Sequence, residues 1–134
     1  MKYILLVDDS EITNRVHTLM FRKAGYDVQI ETAYDGLEAL EILRAGLEQG
    51  QPCPDVLLLD LNMPRMNGFE FLDAYQTVPE ALRAAIVIVM VTSSLLPHDK
   101  ERAERHPDVQ AFKIKPLDVD GVHEINALVE QGPR

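Results

Sequence analysis
The chain holds a single cysteine, Cys53, among its 134 residues, so neither an internal disulfide framework nor a CxxC metal site can exist within it. A reducing, cytoplasmic setting is the expectation that follows. Clusters of Lys and Arg are also missing: 13 basic residues stand against 22 acidic ones, for a formal net charge of −9. Such a chain repels a phosphate backbone, and nucleic acid is not expected as a partner. Nowhere does an apolar run approach the roughly 20 residues that span a bilayer, so no membrane partner is expected. The Met1 to Val7 run meets Asp8 and Asp9 before the apolar region of a signal peptide could form. His17, His98, His106 and His123 lack metal-ligand spacing and are expected at the surface. Repeats and low-complexity tracts are absent.

What is present is an ordinary globular composition, 46% hydrophobic and 26% charged, in a length that suits one domain with its own core. Short apolar runs alternate five times with segments of helical period, the rhythm of an α/β sheet built from parallel crossovers. Tyr3 to Val7 reads as a strand covered on both faces. Ser10 caps the helix that follows, whose Ile12, Val16, Leu19 and Met20 are expected to face the core until Gly25 stops it. A more polar strand around Val28 to Ala33 suits a sheet edge. Asp35-Gly36 opens a second helix with Leu37, Leu40, Ile42, Leu43 and Leu47 as its apolar stripe. Asp55 to Asp60 is a buried strand in which four apolar residues, Val56 to Leu59, end abruptly in a carboxylate.

A turn over Asn62 to Gly68 leads to a third helix, then a short link containing Pro79. Ile86 to Val91 forms the fourth strand, ending at Thr92. Pro97 starts a fourth helix with few apolar anchors. Val109 to Ile114 is the fifth strand, and Lys115-Pro116 ends it. The last helix carries Val122, Ile125, Leu128 and Val129 inward. Residues 1–131 are expected to form the domain, with 132–134 a frayed tail and no output domain.

In open α/β sheets, ligands bind beyond the carboxyl ends of the strands, where strand order reverses. Asp8 and Asp9 follow the first strand, Asp60 ends the third, Thr92 the fourth, and Lys115 follows the fifth. Each alone has an ordinary reading, since Asp is favoured at helix starts; their joint placement on one rim points to chemistry. Three carboxylates and one ammonium leave a charge of about −2, and two like charges about 4 Å apart repel by roughly 4 kcal/mol at an effective dielectric of 20. A hard divalent cation resolves that conflict, and Mg²⁺ typically takes one or two carboxylates together with water and phosphate oxygens. Asp60 is then the best placed nucleophile toward phosphorus. Lys115 is a point charge for phosphoryl oxygens and the Thr92 hydroxyl a hydrogen-bond donor to them.

Val7-Asp8-Asp9-Ser10, Leu59-Asp60-Leu61-Asn62-Met63-Pro64 with Gly68, Val91-Thr92-Ser93-Ser94, and Lys115-Pro116 resemble the receiver domains of two-component response regulators across essentially the whole chain. The resemblance implies a flavodoxin-like (βα)5 fold, α/β and doubly wound, with a five-stranded parallel sheet in the order 2-1-3-4-5. It implies phosphate transfer to Asp60 from a histidine kinase or histidine phosphotransfer protein, with no classified enzyme activity beyond Mg²⁺-dependent self-phosphorylation and autodephosphorylation. It further implies Mg²⁺ ligation by Asp9, Asp60 and the Asn62 carbonyl, with Asp8 acting through metal-bound water. Thr92 and Phe112 would form the switch, Phe112 standing where the family often has tyrosine, and Asn62 and Ser94 would tune phosphate lifetime. An unidentified downstream protein would read the switched face, the domain being a monomer or weak dimer.

The same residues leave other classes to weigh. A relay intermediate or a phosphate sink uses the same pocket. A haloacid-dehalogenase-type phosphatase needs a second aspartate two residues after the nucleophile, where this chain has Asn62. A flavin carrier would seat an anionic phosphate beside Asp8, Asp9 and Glu11, which repel it. A receiver-like adaptor that binds partners without phosphorylation would usually have lost pocket residues retained here.

Overall fold
Two families of alternating side chains decide how this chain folds. The computed structural model describes residues 1–93 and 96–131. Its strands β1 (Tyr3–Val7), β2 (Gln29–Ala33), β3 (Val56–Asp60), β4 (Val87–Thr92) and β5 (Val109–Ile114) make one parallel sheet in the order β2-β1-β3-β4-β5. Leu5, Val7, Leu57, Leu59, Ile88 and Met90 project to one face, where they pack with Leu40, Leu43, Phe71, Leu72 and Tyr75. Ile4, Leu6, Val56, Leu58, Val89 and Val91 project to the other, against Phe21, Val122 and Ile125. Both faces are dry, which is why the central strands read as continuous apolar runs rather than alternating ones. The polar strand β2 is the edge expected for it.

The helices are α1 (Glu11–Lys23), α2 (Gly36–Glu48), α3 (Gly68–Tyr75), α4 (Glu80–Ala85), α5 (Pro97–Arg105) and α6 (Val119–Glu130). The flavodoxin-like, doubly wound reading of the sequence holds, with one addition: the link containing Pro79 carries a short helix of its own, α4. Pro79 sets its N-terminus, Leu82 rests on the core, and the Arg83 guanidinium donates to the Val78 carbonyl at 2.8 Å. Six residues with no internal apolar stripe give too weak a periodic signal to be read as a helix.

The inward face of α1 also differs from expectation. Ile12 and Leu19 are 75% and 61% exposed, whereas Asn14, His17 and Phe21 are buried. These last three lie at helical spacing on one stripe, so a polar stripe and an apolar one compete for the core. The polar one wins because its side chains bond backbone groups. Ser10 caps the helix by accepting from the Thr13 N–H at 3.2 Å, and Gly25, at φ +94°, turns the chain after it. In α2, Leu47 is likewise more exposed (36%) than its place in the apolar stripe suggested. Among the described residues, no helix is long and apolar enough to cross a membrane.

Candidate functional site
Strand register gathers the candidate residues. Val7 pairs with Leu59, Asp60 with Val91, and Thr92 with Ile114, so Asp8, Asp60, Thr92 and Lys115 arrive at one rim of the sheet. The strand order reverses between β1 and β3, and the crevice there lies between Asp8 and Asp60. Parity aims the side chains. Asp8 continues the series Ile4, Leu6; Asp60 continues Val56, Leu58; Lys115 continues Ala111, Lys113. All three series belong to the α1/α6 side of the sheet. Thr92 and Phe112 have the opposite parity, shared with Met90.

The carboxylates are crowded. Asp8, Asp9 and Asp60 each offer an oxygen within 4.8 Å of the others. Lys115 Nζ lies 2.9 Å from Asp8 Oδ2 and 3.2 Å from Asp60 Oδ1, and both acids are almost wholly buried while Asp9 is exposed. Asp8 Oδ1 accepts from the Ser10 N–H at 2.9 Å, and the Asn62 N–H points to Asp60 Oδ1 at 3.4 Å. Asp60 Oδ2 is buried with no hydrogen-bond partner among the described residues, a costly state for an anionic oxygen. Burial, then the neighbouring Asp8 carboxylate, push the Asp60 pKa up to about 6, against the pull of Lys115. Burial works against the Lys115 ammonium, but its contacts with Asp8 and Asp60 outweigh it and hold its pKa above the ordinary value. One ammonium shared by two buried carboxylates, with a third at the rim and one orphaned oxygen, is a donor set that suits a hard, oxygen-seeking divalent cation.

The remaining expectations fall around this cluster. Thr92 is fully buried at the end of β4, and its carbonyl accepts the Lys115 N–H at 2.9 Å. Phe112 is half-buried on β5 against the core that includes Met90, its partner in register. The Asn62 side chain is exposed at the mouth. Ser94 and residues 132–134 lie outside the described residues.

The loop from Leu61 to Asn67 closes against Asp60. Its exit is Gly68, whose N–H returns to the Leu61 carbonyl at 3.0 Å; a Cβ there would stand 2.7 Å from the Asp60 carbonyl oxygen and 2.9 Å from Met90 Cε. Only glycine permits that approach. On the other side, Arg65 Nε meets Asp35 Oδ2 at 2.6 Å, and the Gly36 N–H donates to the Met66 carbonyl at 3.1 Å.

Two buried residues were not anticipated here. Asn14 Nδ2 donates to the Asp8 carbonyl at 3.0 Å and so holds the start of the β1–α1 turn. His17, expected at the surface, is 1% exposed, and its Nε2 accepts the Leu117 N–H at 3.2 Å just beyond Lys115-Pro116. That bond requires a neutral ring with its proton on Nδ1. Burial lowers the His17 pKa to about 4; Asp8 opposes the shift and Lys115 adds to it. The stripe Asn14, His17, Phe21 was the available signal, masked by the more apolar one beside it.

A family model described as the response regulator receiver domain matches residues 4–126. The chain is 35% identical to the probable methanogenesis regulatory protein FilR2 of Methanothrix harundinacea over 85% of this chain and 72% of that protein. It is 29% identical to sporulation initiation phosphotransferase F of Bacillus subtilis, over 90% of this chain and 87% of the relative. In three dimensions it resembles a two-component response regulator from Cytophaga hutchinsonii, with a TM-score of 0.91 at 26% identity over 98% of both chains. With the sheet order, the acidic rim and these likenesses in agreement, the chain belongs to the response regulator receiver domain family.

Proposed function
We propose that the chain is a response regulator receiver domain that accepts a phosphoryl group on Asp60 from a histidine kinase or histidine phosphotransfer protein, and so switches a protein-interaction surface. The buried Asp60 Oδ2, without a hydrogen-bond partner among the described residues and set among Asp8, Asp9 and Lys115, carries this reading. An Asp60 oxygen attacks phosphorus in line. The P–O bond forms as the P–N bond to the donor imidazole breaks; the ring nitrogen keeps the bonding pair and takes a proton from solvent. Asp8, Asp9, Asp60 and the Asn62 carbonyl would hold Mg²⁺, whose charge offsets carboxylate repulsion and that of the phosphoryl oxygens. Lys115, already 3.2 Å from Asp60, gives up an ion pair to contact the phosphoryl group. Autodephosphorylation reverses the modification when water attacks phosphorus and releases inorganic phosphate.

Thr92 and Phe112 share a side of the sheet and lie on neighbouring strands. A Thr92 hydroxyl drawn toward the phosphate leaves space on that side into which Phe112 can turn, changing the face built from α5, β5 and α6. Without a hydroxyl, Phe112 has no polar group to satisfy when it turns inward. Asn62, exposed at the mouth, would tune access of water to the phosphate.

Incubation with acetyl phosphate and Mg²⁺ followed by intact-mass measurement tests the assignment. One phosphoryl group is expected on the wild type and none on Asp60→Asn; an unmodified wild type, or equal modification of both, refutes it. Lys115→Ala is expected to accept phosphate poorly and to leave partner binding unresponsive to it. The likeness to a sporulation phosphotransferase favours a second reading, a relay intermediate, in which the phosphorylated chain passes its group to the histidine of another protein.

A further inference from the structure
We propose that the Asp35–Arg65 ion pair is a latch that positions the β3–α3 loop, and with it the Asn62 carbonyl, for the divalent cation held at Asp60. The inference rests on the reading of Asp60 just given. Arg65 sits at φ +61°, the one non-glycine residue with positive φ among those described, a conformation that a residue with a Cβ resists. Something must hold it there. Its Nε meets Asp35 Oδ2 at 2.6 Å, with the Asp35 side chain 6% exposed and the Arg65 side chain 62% exposed. The other Asp35 oxygen accepts the Glu38 N–H at 2.8 Å and caps α2. Burial works against the Asp35 carboxylate, but these bonds outweigh it and hold its pKa below the ordinary value, so the pair stays ionised. The cap thus anchors the carboxylate rigidly, and the carboxylate anchors Arg65.

A second tether lies one residue further along, where the Gly36 N–H bonds the Met66 carbonyl at 3.1 Å. A Cβ on Gly36 would stand 2.8 Å from the Met66 side chain, so the first turn of α2 lies directly against the loop. At the loop's start, by contrast, Asn62 makes only a 3.4 Å contact from its N–H to the Asp60 carboxylate. Leu61 before it is fixed, its N–H on the Val91 carbonyl and its carbonyl under the Gly68 N–H, both at 3.0 Å, so the Asp35 tether is what holds the stretch from Asn62 to Met66 between those two fixed ends. Asp35 and Arg65 are positioning residues in this scheme and touch neither phosphate nor metal.

Simple charge and the latch make opposite predictions. Arg65 is a cation on the loop that leaves Asp60, so loss of its Coulomb repulsion of Mg²⁺ alone would tighten Mg²⁺ binding on its removal. If it holds the loop, its removal weakens binding. Arg65→Asn is the discriminating variant, because asparagine tolerates positive φ while losing the guanidinium.

Calorimetric titration with Mg²⁺ is expected to give a dissociation constant about tenfold higher for Arg65→Asn, the scale seen when groups that orient metal ligands are lost. Asp35→Asn, which keeps a capping oxygen, is expected to shift in the same direction, and Arg65→Lys to stay near wild type. In metal-free protein, amide exchange of the Leu61–Gly68 segment is expected to accelerate in Arg65→Asn while the β1 and β3 amides keep their protection, a pattern that a general loss of stability does not produce. Unchanged or tighter Mg²⁺ binding by Arg65→Asn overturns the latch and leaves the assignment of Asp60 intact. A wild type that binds no Mg²⁺ overturns both.

Discussion

Lowering the pH from about 7.5 to about 5 in metal-free buffer sets two buried groups of this chain against each other. His17 has a pKa of about 4 when folded, against an ordinary value of 6.5. Because the folded pKa is depressed for a base, the unfolded chain takes up the proton first. The stability associated with neutral His17 is complete above about pH 6.5 and is lost as the pH falls toward 4. Linkage puts the loss at about 2 kcal/mol by pH 5. Asp60 works the other way: its folded pKa is raised from 3.8 to about 6, so the cost of its buried charge is relieved as the pH falls through 6. The same linkage returns about 1 kcal/mol over this interval. The wild type should therefore lose a modest net amount, and His17→Gln, which can still present an acceptor to the Leu117 N–H but cannot titrate, should not share the His17 component. Urea unfolding of both proteins at the two pH values, with linear extrapolation, gives the double difference directly. About 2 kcal/mol is expected. Parallel pH profiles for the two proteins would show that His17 is not the buried neutral acceptor described above.

Gly68→Ala should destabilise the fold by about 1 to 3 kcal/mol, because the Asp60 carbonyl that its Cβ meets is backbone and cannot swing away; a urea midpoint matching wild type contradicts this. Mg²⁺ at about 100 times its dissociation constant should stabilise the wild type by about 2.7 kcal/mol. Asp9→Asn should lose most of that gain in a thermal melt, and an equal Mg²⁺ shift in both proteins would remove Asp9 from the metal site. Lys115→Met in metal-free buffer near neutral pH leaves Asp8 and Asp60 facing each other without their shared ammonium. A loss of about 3 kcal/mol is expected in chemical unfolding, and a change within error would mean that the ion pairs contribute nothing to the fold.

How much of this was visible in the sequence depends on the range of the interaction involved. The apolar runs at Tyr3–Val7, Val56–Leu59 and Val87–Val91 announce buried parallel strands, because burial on both faces leaves no polar positions to confuse the pattern. The same runs end in Asp8, Asp60 and Thr92, so the chemistry of the rim was legible as soon as the strand ends were. Ser10, Asp35 and Asn67 cap helices through bonds to residues three positions on, an order that local composition sets.

Tertiary structure decided the contacts between segments that no local pattern connects. Which stripe of α1 turns inward was settled by Asn14 and His17 finding backbone partners at Asp8 and at Leu117, the latter 100 residues away. The register that brings Lys115 to Asp8 and Asp60, the left-handed turn at Arg65, and its ion pair with Asp35 likewise depend on where whole elements pack. Sequence alone determined the buried strands and the polar residue that ends each at the rim, Asp8, Asp60, Thr92 and Lys115, because these follow from periodicity and from the cost of burying charge. Only the folded chain decided which oxygen of Asp60 pairs with Lys115 and which finds no partner among the described residues, since that is a property of its neighbours in space.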